Sequence, residues 1–146
     1  MATRSFRRRD AHFVLLLEQD RELAAKLTEG LRSAGLRCGW SDSEPAAQAL
    51  AQTSPPSLIV AATWIGKGRG CEICAALGGP VVPVIYLSES QTADVICRRG
   101  PAGGVYSLRK PCSADVLAAL VTGLLAVAPV RRARRQRTRP SSALAP

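Results

Sequence analysis

Two short runs in this chain, Phe13–Leu17 (FVLLL) and Leu58–Ala62 (LIVAA), are apolar without interruption. A strand with one face in water alternates apolar and polar residues. A continuous apolar run of this length instead suits a strand buried on both faces. Both faces of the sheet must then be covered, and helices are the usual cover. Further strands are expected at Leu36–Trp40, Val81–Leu87 and Val105–Arg109. Between them lie helical patterns. Asp20 caps a helix from about Arg21 to Ala34, with Leu23, Ala24, Leu27 and Leu31 on one face and Gly35 as its stop. Ser43 precedes a short Ala-rich helix over about Glu44–Gln52. Helices are also expected near Cys71–Leu77, over Gln91–Arg99, and from the Ser113 cap to about Val127. Strand and helix alternate five times, which calls for a parallel sheet between two helical layers.

Composition constrains the partners more than the fold. Hydrophobic residues make up 47% of the chain and aromatics only 4%, so the core must be aliphatic. The net charge of +9 suggests a nucleic-acid binder until it is divided by position. Arg4, Arg7, Arg8 and Arg9 stand against Asp10 at one end, and Arg131, Arg132, Arg134, Arg135, Arg137 and Arg139 lie unopposed at the other. Basic and acidic residues balance over 11–130, so the excess sits wholly on the ends. The chain reads as a basic disordered segment at 1–10, a folded region at 11–127 and an Arg-rich disordered tail at 128–146.

No secretory signal is legible. Arg7-Arg8-Arg9 precedes only Phe13–Leu17, and Glu18 ends that run. The apolar stretch Val116–Val130 falls short of a bilayer span, which needs about 20 residues. A terminal core helix is the reading taken for it, with membrane association of that end as the alternative. Five cysteines without a signal suggest free thiols in a reducing, cytoplasmic setting.

The residues at the strand ends carry a resemblance. The stretch "FVLLLEQD" ends in an acid, and "SLIVAATWIGKGRGCEIC" runs from an apolar strand through a glycine-rich loop into a helix. "VPVIYLSES" places Ser88 after a strand, and "VYSLRKPCS" places Lys110-Pro111 after another. In order and spacing these resemble the receiver domain of bacterial two-component response regulators, over about residues 11–127. The resemblance implies a flavodoxin-like (βα)5 three-layer sandwich, with a five-stranded parallel sheet in the order 2-1-3-4-5. It also implies a Lys-Pro peptide that is typically cis, and a protein–protein contact face, here about Gln91–Val127, that also admits a homodimer.

The chemistry that the family implies is not matched. Forming an aspartyl phosphate needs a carboxylate nucleophile and a Mg²⁺ held by hard oxygen ligands. Receivers have two adjacent acids after the first strand, where this chain has Glu18-Gln19. Their phospho-acceptor position falls here on Ala62. Ser88 and Lys110 stand where receivers bind and sense the phosphoryl group. Glu18, Gln19, Ala62, Ser88, Lys110 and Pro111 together read as a vestigial site, with no catalytic residue, metal or cofactor expected. Asp20 is better explained as the helix cap. Thr63 as an alternative acceptor would need a slipped strand, which turns its side chain to the other face. Three places before Lys110, where receivers usually carry an aromatic, stands Ser107, with Tyr106 one place earlier. Either the strand bulges there or the aromatic is absent. Lys110 beside Ala62 lacks its usual partner and is expected to pair with Glu18 or turn to solvent.

Three other motifs have plainer readings. Gly66-Lys67-Gly68-Arg69-Gly70 matches neither the P-loop nor the dinucleotide pattern. It reads as a flexible basic loop, with anion or nucleotide binding as the alternative. Cys71-Glu72-Ile73-Cys74 has redox spacing, but it follows the third strand, and a packed Cys74 is the simpler reading. The tail RRARRQRTRP has no interleaved aromatic. It suits nonspecific contact with nucleic-acid phosphates or another anionic surface. The sequence thus suggests a non-enzymatic, cytoplasmic signalling module that binds a protein partner without phosphorylation. A tail-driven nucleic-acid or surface binder and a phosphorelay regulator with a non-standard acceptor are the alternatives.

Overall fold

The computed structural model describes residues 12–78, 82–89 and 105–127. Five parallel strands form one sheet: β1 (Phe13–Leu17), β2 (Arg37–Ser41), β3 (Leu58–Ala62), β6 (Val84–Ser88) and β7 (Val105–Arg109). Their order is β2-β1-β3-β6-β7, which is the flavodoxin-like order 2-1-3-4-5 once a small separate hairpin, β4 (Trp64–Ile65) and β5 (Gly68–Arg69), is set aside. β1 and β3 are buried at every position, as their unbroken apolar runs require. The side chains of these strands point alternately into two cores. Val14, Leu16, Leu58 and Val60 join Leu27, Leu31, Leu117 and Val121 on one side. Leu15, Leu17, Ile59 and Ala61 join Ala47, Ile73 and Cys74 on the other.

The described helices are α1 (Arg21–Ser33), α2 (Glu44–Thr53), α3 (Gly70–Gly78) and α4 (Ala114–Leu125). Short side chains fix three of their starts. Asp20 accepts the Leu23 N–H, Ser43 the Ala46 N–H, and Ser113 the N–H groups of Asp115 and Val116. The helix expected at Gln91–Arg99 and the segments 1–10 and 131–146 lie outside the described residues.

Four expectations need correction. The strand expected to start at Val81 begins at Val84. Pro83 has no N–H to give a ladder, although its carbonyl still accepts the Ile59 N–H at 3.1 Å. The strand expected at Leu36–Trp40 runs one residue later, Arg37–Ser41. The glycine-rich segment is not a plain loop. Trp64–Ile65 and Gly68–Arg69 pair antiparallel around a turn in which Gly66 has φ +62°, the left-handed region that glycine enters without steric cost. Finally, the thiols are not all reduced, because Cys71 is disulfide-bonded. That bond does not link the C-x-x-C pair, since Cys74 keeps its thiol, fully buried in the core. Which sulfurs meet is decided by tertiary proximity, which spacing along the chain does not give. Cys38 also keeps its thiol. Burial pushes its pKa up to about 11 against the opposing pull of the Arg32 guanidinium.

Candidate functional site

The carboxyl ends of β1, β3, β6 and β7 gather Glu18, Ala62, Ser88 and Lys110 along one edge of the sheet. Crevices of open α/β sheets lie on this edge. Ala62 is the last residue of β3, opposite Leu87, and is buried among apolar neighbours. Ser88 ends β6 and is half-buried. Its carbonyl accepts the Lys110 N–H at 2.7 Å, which ties the Lys110-Pro111 segment to the sheet. The Lys110-Pro111 peptide is cis.

Lys110 takes the first of its two expected arrangements. Its Nζ lies 2.9 Å from Glu18 Oε1, and the two side chains are 15% and 4% exposed. The contact is a close ion pair rather than a well-directed hydrogen bond. A second carboxylate, Glu89, lies 3.6 Å from the same ammonium but is 80% exposed. Such an exposed pair contributes little. Glu18 is held from several sides. Its Oε2 accepts the Asp20 N–H at 3.0 Å, its carbonyl accepts the Trp40 indole N–H at 2.7 Å, and its own N–H reaches the Ser41 carbonyl at 3.1 Å.

Gln19 is engaged differently. Its Oε1 accepts the N–H of Gly66 at 3.0 Å and so clips the β1–α1 turn to the β4–β5 hairpin. The hairpin also seats tightly on the end of β3. The Gly70 N–H donates to the Thr63 carbonyl at 2.8 Å, and a Cβ on Gly70 would lie 2.1 Å from the Ala62 carbonyl oxygen. Asp20 serves as the α1 cap, its Oδ1 accepting the Leu23 N–H at 3.2 Å.

The oxygens present do not fit a resident Mg²⁺, which takes hard oxygen ligands, usually including one or two carboxylates. The Glu18 carboxylate is divided between a backbone N–H and an ammonium, the Gln19 oxygen holds the hairpin, the Asp20 oxygen caps a helix, and Ala62 has no side-chain oxygen. A cation at Glu18 would have to displace Lys110. Among the described residues, no three His, Cys, Asp or Glu come together.

The register of β6 with β7 is one-to-one from Val84↔Val105 to Ser88↔Arg109, without a bulge. Ser107 therefore stands opposite Tyr86, and Tyr106 is partly exposed. The arginines 131, 132, 134, 135, 137 and 139 lie outside the described residues. Sequence reasoning missed Trp40, Glu89 and the clip made by Gln19. Only the position of Gln19, next to the buried acid, hinted at any of them. No helix among the described residues is long and apolar enough to cross a membrane.

No protein-family model matches the chain, and no curated protein matches it by sequence. Its fold, however, matches solved receiver domains. A two-component response regulator from Clostridium difficile aligns with TM-score 0.69 at 20% identity, over 80% of this chain and 97% of that one. The receiver domain of a Francisella response regulator aligns with TM-score 0.66 at 21% identity, over 79% and 97%. The signal receiver domain of a putative LuxO repressor protein from Vibrio parahaemolyticus gives 0.64 at 20%, over 79% and 90%.

Proposed function

We propose that the chain is a pseudo-receiver, a receiver-fold protein of bacterial signal transduction that works by contact with a protein partner and without accepting a phosphoryl group. The observation that carries this reading is the state of the sheet's carboxyl edge. Ala62 stands at the end of β3 with no nucleophile, and the buried carboxylate of Glu18 is already paired with Lys110 at 2.9 Å. An acyl phosphate needs the nucleophile and a cation at once, and this arrangement supports the reading that the chain forms none. What remains is a rigid sheet with surfaces to offer.

The contact face assigned to it includes β7 and α4, where Tyr106 and Val116 are exposed, and the exposed Val127 just past α4. A second reading, in which the six arginines of 131–146 do the binding, is favoured by the segregation of charge onto the ends. The two readings respond oppositely to salt and truncation. Partner capture by the full chain is expected to survive deletion of 131–146 and raised salt, and to be lost with Val116→Glu. Capture that disappears on truncation and weakens steeply with salt assigns the binding to the tail.

A further inference from the structure

We propose that the β4–β5 hairpin is a docking surface for an acidic segment of another protein, anchored by an apolar side chain. The inference goes beyond the β7–α4 contact face and does not depend on it. Trp64 is 50% exposed, although it sits between the buried Ala62 and the buried Ile65. The Arg69 guanidinium lies over its ring at 5.8 Å from the centroid. Lys67 and Arg69 are both exposed, and residues 63–71 contain no acid. An indole with a stacked guanidinium offers an apolar face beside N–H donors arranged for carboxylates. Trp and Arg are also the residue types that dominate binding energy at protein interfaces.

The hairpin is built to hold this pair in place. Ile65 is 5% exposed and anchors one strand in the core. The Gln19 amide fixes the Gly66 turn at 3.0 Å, and the Gly70 N–H closes the base on Thr63. A surface ordered before binding loses less entropy when it binds. The exposed Trp64 therefore sits on a fixed platform.

Charge complementarity selects the occupant. The chain's own ends cannot fill the site, because both are basic. A single-stranded nucleic acid needs a longer positive track with several stacking rings. Here the hairpin offers one aromatic, Trp64, and two cations, Lys67 and Arg69. That footprint suits a short peptide bearing one or two acids beside an apolar side chain.

The test is a titration of the full, isotope-labelled chain, followed by amide and indole NMR signals. The probe is a short peptide of Glu, Asp and Leu. Its counterpart with Lys in place of the acids, oligothymidylate and phosphatidylglycerol vesicles are titrated in parallel. The acidic peptide is expected to move the Trp64 indole N–H and the amides of 64–69, while the lysine peptide leaves them unchanged. Trp64→Ala is expected to weaken this binding about tenfold or more. Arg69→Glu keeps the ring and is expected to lose the acidic peptide and gain the lysine one. The proposal is overturned if the peptide's shifts are confined to 131–139, or if Trp64→Ala binds it as tightly as the parent. It is equally overturned if oligothymidylate or the vesicles move the hairpin signals at lower concentration than the peptide.

Discussion

Lys110→Ala is expected to lower the unfolding free energy by about 3 kcal/mol, toward the lower end for a broken buried ion pair. The lower end applies because Lys110 is 15% exposed, so water reaches the ammonium it loses. The loss has a stated cause. Glu18 is 4% exposed at its side chain, and among the described residues Lys110 is the cation paired with its Oε1. Denaturant unfolding measures the effect. Two companions separate this cause from simple loss of packing. Glu89→Ala, at the exposed side of the same ammonium, should change stability by no more than about 0.5 kcal/mol. The double variant Glu18→Gln, Lys110→Met should be destabilised less than the sum of the two single changes, because the unpaired charge is gone. Additive losses would mean that the two side chains are not coupled.

Gly70→Ala is expected to cost about 2–3 kcal/mol, the upper part of the range for overpacking. The new Cβ would fall 2.1 Å from the Ala62 carbonyl oxygen, and that neighbour is backbone, which cannot rotate away. The hairpin must lift from the end of β3, weakening the Gly70 N–H to Thr63 bond. Gly123→Ala is the matched control. It lies in α4 with nothing within 4 Å of the added carbon, so alanine should stabilise the helix by up to about 1 kcal/mol. Thermal unfolding of the two variants should therefore shift in opposite directions. Equal shifts would contradict the close approach at Ala62.

The fold was legible because its signals are local. Unbroken apolar runs marked β1 and β3, and the residues Asp20, Ser43 and Ser113 marked three helix starts, each of which the structure uses as a cap. The pairing of Lys110 with Glu18 was also within reach, since a buried ammonium needs a carboxylate and one stood at the end of the first apolar run. What could not be read depended on pairs distant in sequence. Gln19 looked only like a lost acid, and its bond to Gly66 spans 47 positions. Trp40 reaches the Glu18 carbonyl across 22. The hairpin at Trp64–Arg69 has two residues per strand, too short for any periodicity to appear. The disulfide at Cys71 likewise depends on proximity that only the folded chain creates.

These distant contacts change how the carboxyl edge of the sheet is understood. The edge of the sheet is not an emptied site, because the remaining polar groups hold one another. Gln19 secures the hairpin, Lys110 neutralises Glu18, and Gly70 packs against Ala62. Placing a single acid at Ala62 would therefore still leave a cation short of ligands.

We propose that this edge does not take part in phosphoryl transfer. This proposal is tested most directly by exposing the full chain to acetyl phosphate, and separately to beryllofluoride, each with Mg²⁺, then recording intact mass and amide NMR spectra. The account predicts no phosphoryl adduct and no shifts at Glu18, Ala62, Ser88 or Lys110. A stoichiometric adduct at any residue of this edge, with shifts spreading into β7 and α4, would contradict it.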